Sequence, residues 1–348
     1  MKLLISALEH SANVHLRYLV QELGDDIELT GIFDARLGDS IVDLRATSVM
    51  GFVDALKKLP FFFRLKDQMV DLAGTADKVL LIDSSGFNLP LAKAIRKRYP
   101  DKEIIYYILP QAWAWKKKRI PVLEKTITKL CSILPFEPSY YSKEAPIEYV
   151  GHPLLDEIDV RKTDLTPNGK ITFMPGSRPG EIKRLMPVFQ ELRLMLDGKA
   201  VLVIPSHFTT EQIAELYGDV SAFDITHEAH KSLAESDFAF ICSGTATLEA
   251  ALIGTPFILA YIAKPLDYAI AKRLVKLDFV GLGNILFSHA YGRSLHPEFL
   301  QNEVYAQNLY NAYRQMDTKA FFSDAERLRG LLEHGSAKRV SEIIKDLK

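Results

Sequence analysis

Short runs of apolar residues alternate with amphipathic stretches along most of this 348-residue chain. The runs are apolar throughout rather than at every second position, which is typical of strands buried on both faces of a parallel sheet. Helices between such strands cover the two faces, so the pattern predicts an α/β fold. Strands are expected at residues 2–6, 27–33, 79–82, 103–108, 131–134, 148–150, 171–174, 200–204, 238–242 and 257–260.

The chain is long enough for two domains, since a single hydrophobic core rarely serves more than about 250–300 residues. A polar stretch at residues 157–170 contains Thr, Pro, Asn and Gly, a composition typical of a loop. We therefore expect one doubly wound, Rossmann-like domain at residues 1–158 and a second at residues 159–348, facing each other across a central cleft. The pattern after Pro297 is helical and predicts peripheral helices on the second domain, at residues 299–315, 320–332 and 337–347.

Charge and cysteine usage limit the partners and the compartment. Lys and Arg number 43 against 44 Asp and Glu, so the net charge is −1 and no basic field would draw the chain onto nucleic acid. Cys131 and Cys242 lie in apolar runs, where a thiol packs as a small hydrophobe, so we expect no disulfide framework and a cytoplasmic location. The first apolar run soon meets Glu9 and is interpreted as a buried strand rather than a secretory signal. No apolar run approaches the roughly 20 residues that span a bilayer.

Two strand–loop–helix junctions in the second half carry the strongest chemical signal. Residues 174–181 read Met-Pro-Gly-Ser-Arg-Pro-Gly-Glu, and residues 243–249 read Ser-Gly-Thr-Ala-Thr-Leu-Glu. Glycines at such a junction let backbone N–H groups approach a ligand, the helix N-terminus is partly positive, and Arg178 adds a cation suited to phosphate oxygens. Taken singly, both motifs are also compatible with turns and helix caps. Together they predict a site for a nucleotide diphosphate, formed by Gly176, Ser177, Arg178, Glu181, Ser243, Gly244, Thr245 and Glu249.

Carboxylates follow two of the expected strands in the first half. Asp83 ends an apolar run and opens a Ser/Gly loop, where partial burial would raise its proton affinity toward that of a useful base. The alternative is that Asp83 caps the helix that begins near Asn88. Glu9, after the first strand, could likewise cap a helix or take part in catalysis. His10 and His15 lack partners at metal-ligand spacing, so they are interpreted as polar or packing residues and no metal site is expected.

The two tryptophans of the chain, Trp113 and Trp115, follow Pro110 and precede a basic run at residues 116–119. One interpretation is a packed loop beside a solvated charge run. The other is an apolar wall that faces a substrate or a lipid. The sequence leaves both open.

Taken together, these segments resemble the lipid-A-disaccharide synthase family, whose members are inverting glycosyltransferases of the GT-B fold. The sequence departs from the family in two loops. The family's Glu-x-Ser-Gly-Asp is here Glu-His-Ser-Ala-Asn at residues 9–13, and Ser-Ser-Gly replaces Ala-Pro-Asp at residues 84–86, whereas Asp83 is kept. The resemblance is carried by residues 49–51, 82–83, 87–89, 110, 113–115, 134–137, 151–152, 175–178, 181, 243–245, 248–249, 272–276 and 284.

The resemblance implies a specific reaction. A 2,3-diacylglucosamine unit passes from its UDP donor to the 6-hydroxyl of 2,3-diacylglucosamine 1-phosphate, giving UDP and a β-1,6-linked lipid A disaccharide 1-phosphate. A single displacement of this kind needs a base for the acceptor hydroxyl, and cations or dipoles for the departing diphosphate. Asp83 is the candidate base, Glu9 is a second catalytic candidate, and Asn284 joins the nucleotide-binding residues. No cofactor is expected.

Both substrates of that reaction carry acyl chains, so the resemblance implies a peripheral location on the inner membrane. An interfacial anchor at residues 56–66 is favoured over a buried phenylalanine cluster because such substrates require a membrane surface. The oligomeric state stays open, a homodimer included. The anchor would combine three phenylalanines and four cations, Phe61, Phe62, Phe63, Lys57, Lys58, Arg64 and Lys66.

Two other functions share part of this pattern. Another GT-B enzyme that uses a UDP-sugar, a glycosyltransferase or an epimerase with a soluble acceptor, would keep the nucleotide motifs but would not need the phenylalanines. A non-catalytic nucleotide-binding module would have no reason to keep Asp83. An oxidoreductase is disfavoured, because no Gly-x-Gly-x-x-Gly follows the first strand.

Overall fold

The structure, a computed structural model, describes residues 1–42, 59–264, 268 and 278–346. Every pair of neighbouring strands in these ranges is parallel. The strands are β1 Lys2–Ser6, β2 Glu28–Ile32, β3 Asp39–Ser40, β4 Lys78–Ile82, β5 Glu103–Tyr107, β6 Lys129–Ser132, β7 Ile147–Tyr149, β8 Lys170–Met174, β9 Lys199–Val203, β10 Asp224–Thr226, β11 Phe238–Cys242, β12 Phe257–Tyr261 and β13 Glu298–Leu300. The helices are α1 His10–Leu23, α2 Leu59–Ala73, α3 Ser85–Arg98, α4 Ala112–Trp115, α5 Ile120–Thr126, α6 Pro153–Glu157, α7 Pro179–Arg193, α8 Thr210–Tyr217, α9 Ala229–Glu235, α10 Thr245–Ile253, α11 Leu282–Tyr291, α12 Ala306–Gln315, α13 Thr318–Gly330 and α14 Ser336–Asp346.

The first sheet has the strand order β3-β2-β1-β4-β5-β6-β7. Successive residues of its strands point to opposite faces, and each face has its own core. On one face the buried side chains include Leu16 from α1 and Val340 from α14. On the other they include Met69 from α2, Leu91 from α3 and Leu123 from α5. Both faces are thus covered by helices, as a parallel sheet requires.

The second sheet repeats the scheme with the order β10-β9-β8-β11-β12-β13. Its core contains a cluster of rings in which Phe173 stacks on Phe240 and meets Phe189 of α7 edge-on. The strand order reverses between β1 and β4 in the first sheet and between β8 and β11 in the second. Open α/β sheets bind ligands beyond the carboxyl ends of the strands at such a reversal. Ligands are therefore expected at the loops after these four strands.

The predicted fold class is confirmed, since both sheets are parallel and doubly wound. Each of the ten expected strands is present, with bounds that differ by at most two residues. The helical prediction for residues 299–315 was wrong at its start, because β13 adds an edge strand there and the helix α12 begins only at Ala306. The strands β3, β10 and β13 have two or three residues each and carry no continuous apolar run, so the apolar pattern did not predict them.

The chain forms two compact units, one of Met1–Glu157 with Leu332–Lys348 and one of Ile158–Leu331. The assignment of the last helix to the second domain was therefore wrong. Helix α14 packs against α1 of the first unit, where its Ile344 side chain is fully buried and the Ile344 carbonyl accepts a hydrogen bond from Lys78 Nζ at 2.7 Å. An amphipathic pattern shows that a helix covers a core but not which core, so the sequence could not decide this.

Candidate active site

The loop after β8 has the features of an anion site. It leads through Gly176 and Ser177 to Arg178, the N-cap residue of α7, and Ser177 and Arg178 are exposed. Gly176 has a φ of +106°, a conformation that glycine adopts without cost. A Cβ at this position would lie 2.9 Å from Glu181 Oε2, so a larger residue would displace that carboxylate. Backbone donors and a cation thus meet at a helix N-terminus, which favours phosphate groups.

Glu181 holds this loop from within the first turn of α7. Its side chain is buried, and Oε1 accepts a hydrogen bond from Arg178 Nη1 at 3.0 Å. The Arg178 side chain is still 76% exposed, so the guanidinium can contact a ligand while Glu181 orients it. Cys242, at the end of β11, is buried, as the sequence predicted for both cysteines, and its Sγ would lie 3.2 Å from the same Cβ at position 176. Burial, together with the nearby Glu181 carboxylate, raises the pKa of the Cys242 thiol to about 12, so it packs as a neutral group.

The loop after β11 lies beside the first one, because β8 and β11 are paired. It enters α10 at Gly244, the N-cap residue, whose carbonyl accepts a hydrogen bond from Thr247 Oγ1 at 2.8 Å. Gly244 and Thr245 are exposed and Ser243 is partly exposed. The carboxylate of Glu249, one turn further, lies with Oε2 3.4 Å from His230 Nε2. The nucleotide contacts of these residues remain predictions, and Glu249 would share its carboxylate between a ligand and His230.

The nucleotide-binding role expected for Asn284 stays a prediction, and the structure shows which protein groups its side chain bonds. It is fully buried in α11, and its Nδ2 donates to the His296 carbonyl at 2.9 Å and to Glu298 Oε1 at 2.8 Å. Its Oδ1 accepts from the N–H groups of Leu295 and His296 at 2.7 and 3.0 Å. These four hydrogen bonds join α11 to the segment that leads into β13.

In the first unit, the backbone of Asp83 is held in an unusual conformation. Asp83 and Ser84 have φ values of +49° and +44°, a region that costs a non-glycine residue about 1–3 kcal/mol. The Asp83 carbonyl accepts hydrogen bonds from Tyr106 Oη at 2.7 Å and Asn88 Nδ2 at 2.8 Å, and its N–H donates to the Tyr107 carbonyl at 3.1 Å. The sheet and α3 therefore fix the point from which the Asp83 side chain projects.

The carboxyl of Asp83 is suited to proton transfer. The N-cap residue of α3 is Ser84, which makes no side-chain capping bond, so Asp83 does not have the capping role that was the alternative. Burial raises the pKa of Asp83 above its ordinary value, while a hydrogen bond from the Ser84 backbone and the charge of His15 act in the opposite direction. A carboxyl with raised proton affinity at the ligand-binding edge of a sheet is a candidate general base.

The second catalytic candidate, Glu9, lies at the start of α1. It is the N-cap residue of α1, is exposed and makes no side-chain capping bond. Asn13, which replaces an acid of the family motif, is buried and donates from Nδ2 to the carbonyls of Ala7 and Glu9, both at 2.8 Å. Its Oδ1 accepts from the N–H of Asp34 at 2.7 Å. Asn13 thus joins the loops after β1 and β2 by hydrogen bonds. The catalytic role of Glu9 stays a prediction.

The two tryptophans behave differently. Trp113 is buried and packs edge-on against Phe136, with ring centres 4.9 Å apart. Trp115 is 43% exposed, and Lys116 Nζ lies 3.7 Å from the centre of its ring. Trp113 thus belongs to a packed loop, whereas contact of the exposed Trp115 ring with a substrate or a lipid stays a prediction. Phe136 is followed by Glu137, which is buried, and burial raises the pKa of Glu137 to about 8 although Ser132 Oγ donates to it at 2.6 Å.

The three phenylalanines of the expected anchor also differ in burial. Phe61 and Phe62 are half-buried against the core of the first unit, and the Phe62 and Phe87 rings lie 6.2 Å apart. Phe63 is 59% exposed, with Lys66 Nζ 5.4 Å from its ring centre. An interfacial role can therefore rest mainly on Phe63. Lys57 and Lys58, like the family segments at residues 49–51 and 272–276, lie outside the described residues.

Three contacts near these loops were not predicted. Arg184 lies one turn beyond Gly180 on α7, donates from Nε to the Ile262 carbonyl at 2.6 Å and places its guanidinium over Gly180. Its spacing of three residues from Glu181 could have placed it on the same helix face. Arg119 donates from Nη1 to Ser85 Oγ at 3.1 Å and so brings a cation to the loop after Asp83. The third contact joins His15 to Glu157, 142 positions further along the chain, a distance that no local pattern bridges.

Within the residues that the structure describes, no three His, Cys, Asp or Glu side chains gather as ligands for a metal ion. None of the helices there has the length and apolar character needed to cross a bilayer.

The chain is similar to a well-defined set of sequences. A family model described as lipid-A-disaccharide synthetase matches residues 3–323. A lipid-A-disaccharide synthase from Helicobacter pylori is 48% identical over 97% of this chain and 96% of its own length. One from Campylobacter jejuni is 45% identical over 99% of both chains.

Solved structures with the same fold have much lower sequence identity. The UDP-N-acetylglucosamine 2-epimerase from Neisseria meningitidis, solved bound to UDP-GlcNAc, aligns over 100% of both chains with a TM-score of 0.64 and 12% identity. The glycotransferase of kitacinnamycin aligns over 99% of this chain and 98% of its own, with a TM-score of 0.64 and 13% identity. These likenesses show a shared fold of two Rossmann-like domains.

Proposed function

Since this chain belongs to the lipid-A-disaccharide synthase family, it is a hexosyltransferase that forms the lipid A disaccharide, and we propose that UDP-2,3-diacylglucosamine is its donor. The proposed acceptor is 2,3-diacylglucosamine 1-phosphate, which is attacked through its 6-hydroxyl. Membership of the family does not favour the alternatives of a soluble acceptor, an epimerase or a non-catalytic module.

The second unit is proposed to hold the UDP part of the donor. The exposed Arg178 and the backbone donors at the start of α7 would face the diphosphate, and the start of α10 would support it from the neighbouring strand. The diphosphate gains negative charge as it leaves, so contacts with a cation and a helix N-terminus are stronger in the transition state than in the ground state. Glu249 is proposed to accept hydrogen bonds from the ribose hydroxyls.

The first unit is proposed to supply the base. As the acceptor O6 forms its bond to C1 of the donor, Asp83 takes the hydroxyl proton, and the bond from C1 to UDP breaks with its electron pair leaving on the diphosphate. One displacement from the face opposite UDP inverts C1. The observation that carries this role is the carboxyl of Asp83, part-buried, with raised pKa, on a backbone fixed at the carboxyl end of β4.

Contact with the membrane is proposed to run through α2. Phe63 would insert among the acyl chains, and Arg64 and Lys66 would face anionic headgroups. Acylated substrates would then reach the protein without leaving the bilayer surface. This is the peripheral attachment to the inner membrane that the sequence predicted.

The test of the base is the variant Asp83→Asn, assayed for disaccharide by mass spectrometry with the UDP-diacylglucosamine donor and the acylated monosaccharide phosphate. We expect turnover to fall by about 10²–10⁴-fold, the usual contribution of a general base, with UDP binding nearly unchanged. Asp101→Asn is the matched control, because Asp101 is exposed in the turn before β5 and should tolerate the change. Near-normal turnover of Asp83→Asn would exclude Asp83 as the base. If the unmodified protein forms no disaccharide, the proposed substrates are wrong.

A further inference from the structure

A cation lies against the loop that carries Asp83 and has no role in the mechanism above. Arg119 ends the short 3₁₀ helix Lys117–Arg119, and its Nη1 donates to Ser85 Oγ at 3.1 Å. Ser85 is the first residue of α3 and follows Asp83 by two positions. Because β4 and β5 are paired, the segments that follow them lie side by side at the carboxyl edge of the first sheet.

The guanidinium of Arg119 keeps most of its donors for another partner. A guanidinium has five N–H donors in a planar fork, and the bond to Ser85 uses one of them. Among the residues that the structure describes, no carboxylate forms an ion pair with Arg119. Its side chain is only partly exposed, and a partly buried charge without a counter-charge is costly. An anionic group of a ligand would supply the missing charge.

The residues before Arg119 add to the positive charge of this segment. Residues 116–119 contain four cations and no acid. Burial and the charge of Arg119 both lower the pKa of Lys116, as expected where one cation lies near another. Lys116 Nζ lies 3.7 Å from the ring centre of Trp115, so this amine faces an aromatic ring, whereas the guanidinium of Arg119 faces the loop after β4.

The loop beside Arg119 has room for a ligand. Gly86, next to Ser85, is exposed, and a Cβ at this position would contact no other described segment within 4 Å. Ser85 Oγ accepts from Arg119, so the hydroxyl proton of Ser85 is left to donate. A group that approaches from solvent can therefore receive hydrogen bonds from a guanidinium and a hydroxyl at once, which suits the oxygens of a phosphate monoester.

We propose that Arg119 and Ser85 bind the phosphate group of the acceptor. The proposal rests on the proposed function, in which the acceptor is a sugar 1-phosphate. Ser85 and Asp83 are two residues apart, so their Cα atoms lie within about 7.6 Å of each other. The C1 phosphate and the C6 hydroxyl are attached on either side of the ring oxygen of one sugar, so a phosphate bound at Arg119 can place O6 near the carboxyl of Asp83. The cation also offsets the phosphate charge, which would otherwise disfavour the ionised form of the base.

The experiment measures kcat/KM with two acceptors in neutral detergent micelles, 2,3-diacylglucosamine 1-phosphate and the same sugar without the phosphate. In the unmodified protein, loss of the phosphate should lower kcat/KM about ten- to a hundredfold, the usual contribution of a hydrogen bond to a charged group. Arg119→Gln should lower kcat/KM by a similar factor for the phosphorylated acceptor only, because the two changes remove the same contact. The KM for the UDP donor should not change. Arg119→Lys keeps the charge without the planar fork and should lie between the two.

Lys118→Gln is the matched control, because it removes an exposed cation next to Arg119 and should leave the preference for the phosphorylated acceptor in place. A folded Arg119→Gln variant that loses the same factor with both acceptors, or loses nothing, would overturn the proposal. If turnover without the phosphate is too low to measure, competitive inhibition by glucosamine 1-phosphate replaces it. Arg119→Gln should then raise the inhibition constant about ten- to a hundredfold, and an unchanged constant would refute the site.

A phosphate could also come from a lipid headgroup, and co-sedimentation with vesicles that contain anionic lipid separates this source. Arg119→Gln should bind vesicles like the unmodified protein, and weaker vesicle binding with unchanged acceptor kinetics would assign Arg119 to the membrane and refute the acceptor site. If Arg119→Gln does not fold, Ser85→Ala provides the same comparison, and an equal loss with both acceptors counts against the site. If the unmodified protein forms no disaccharide from either acceptor, the proposed function is wrong and this proposal with it.

Discussion

Phe63 is the side chain on which the proposed membrane contact can be tested most sharply. It is 59% exposed, and the ring of a phenylalanine offers roughly 200 Å² for burial, so about 120 Å² is still in water. At about 25 cal/mol per Å², moving that area into a bilayer contributes about 3 kcal/mol. Since each 1.4 kcal/mol or so is a factor of ten, Phe63→Ser should weaken binding to vesicles roughly a hundredfold.

The assay is co-sedimentation with vesicles that contain anionic lipid, over a series of lipid concentrations, together with a thermal melt of each variant. Phe63→Ser should melt like the unmodified protein, because the exposed part of the ring contributes little to the core. Phe61→Ser is the contrasting change: Phe61 is half-buried against the core, so we expect a loss of about 2 kcal/mol in the free energy of unfolding, about half of a core substitution. Equal vesicle binding by Phe63→Ser and the unmodified protein would refute the anchor.

Two further expectations concern the nucleotide loops and the last helix. Arg178→Ala should lower both UDP-donor affinity and kcat, whereas Glu249→Ala should mainly lower UDP affinity. Titration calorimetry with UDP measures the affinity, and steady-state kinetics measures kcat. Unchanged UDP affinity in both variants would place the nucleotide elsewhere. Ile344→Ala should cost about 2–5 kcal/mol of stability, because Ile344 is fully buried in the first unit, and urea unfolding measures it. A free energy of unfolding in urea that is unaltered by that change would contradict the packing of α14 described for the first unit.

The sequence predicted the buried strands well and the edges poorly. The run at residues 238–242 is apolar throughout and gave both ends of β11, because a strand covered on both faces can hold little else. The strand β13 pairs over three residues and starts with Glu298, whose carboxylate accepts from the N–H groups of Val280 and Gly281. The partners of β13 are distant in sequence, so a local pattern of apolar residues could not predict this strand.

The sequence likewise predicted some features of the candidate site and not others. Motifs that sit at one strand–helix junction, such as the loop at Arg178, could be found because all their parts are neighbours in sequence. The sequence could not show that the amide of Asn284 makes hydrogen bonds with residues 295, 296 and 298, nor that His15 contacts Glu157. Both depend on which elements the fold brings together. The burial of Asp83 was expected from its place after an apolar strand, but its left-handed backbone was not.

The return of the chain from the second unit to the first has a consequence for synthesis. A ribosome completes residues 158–331 before it makes α14, so the second sheet can acquire all of its helices while the first still lacks one. Until α14 emerges, the face of α1 that packs against it is open to water and to other nascent chains. The first unit is therefore begun first and completed last, and the face of α1 that awaits α14 is open to aggregation and to chaperones while the second unit is made.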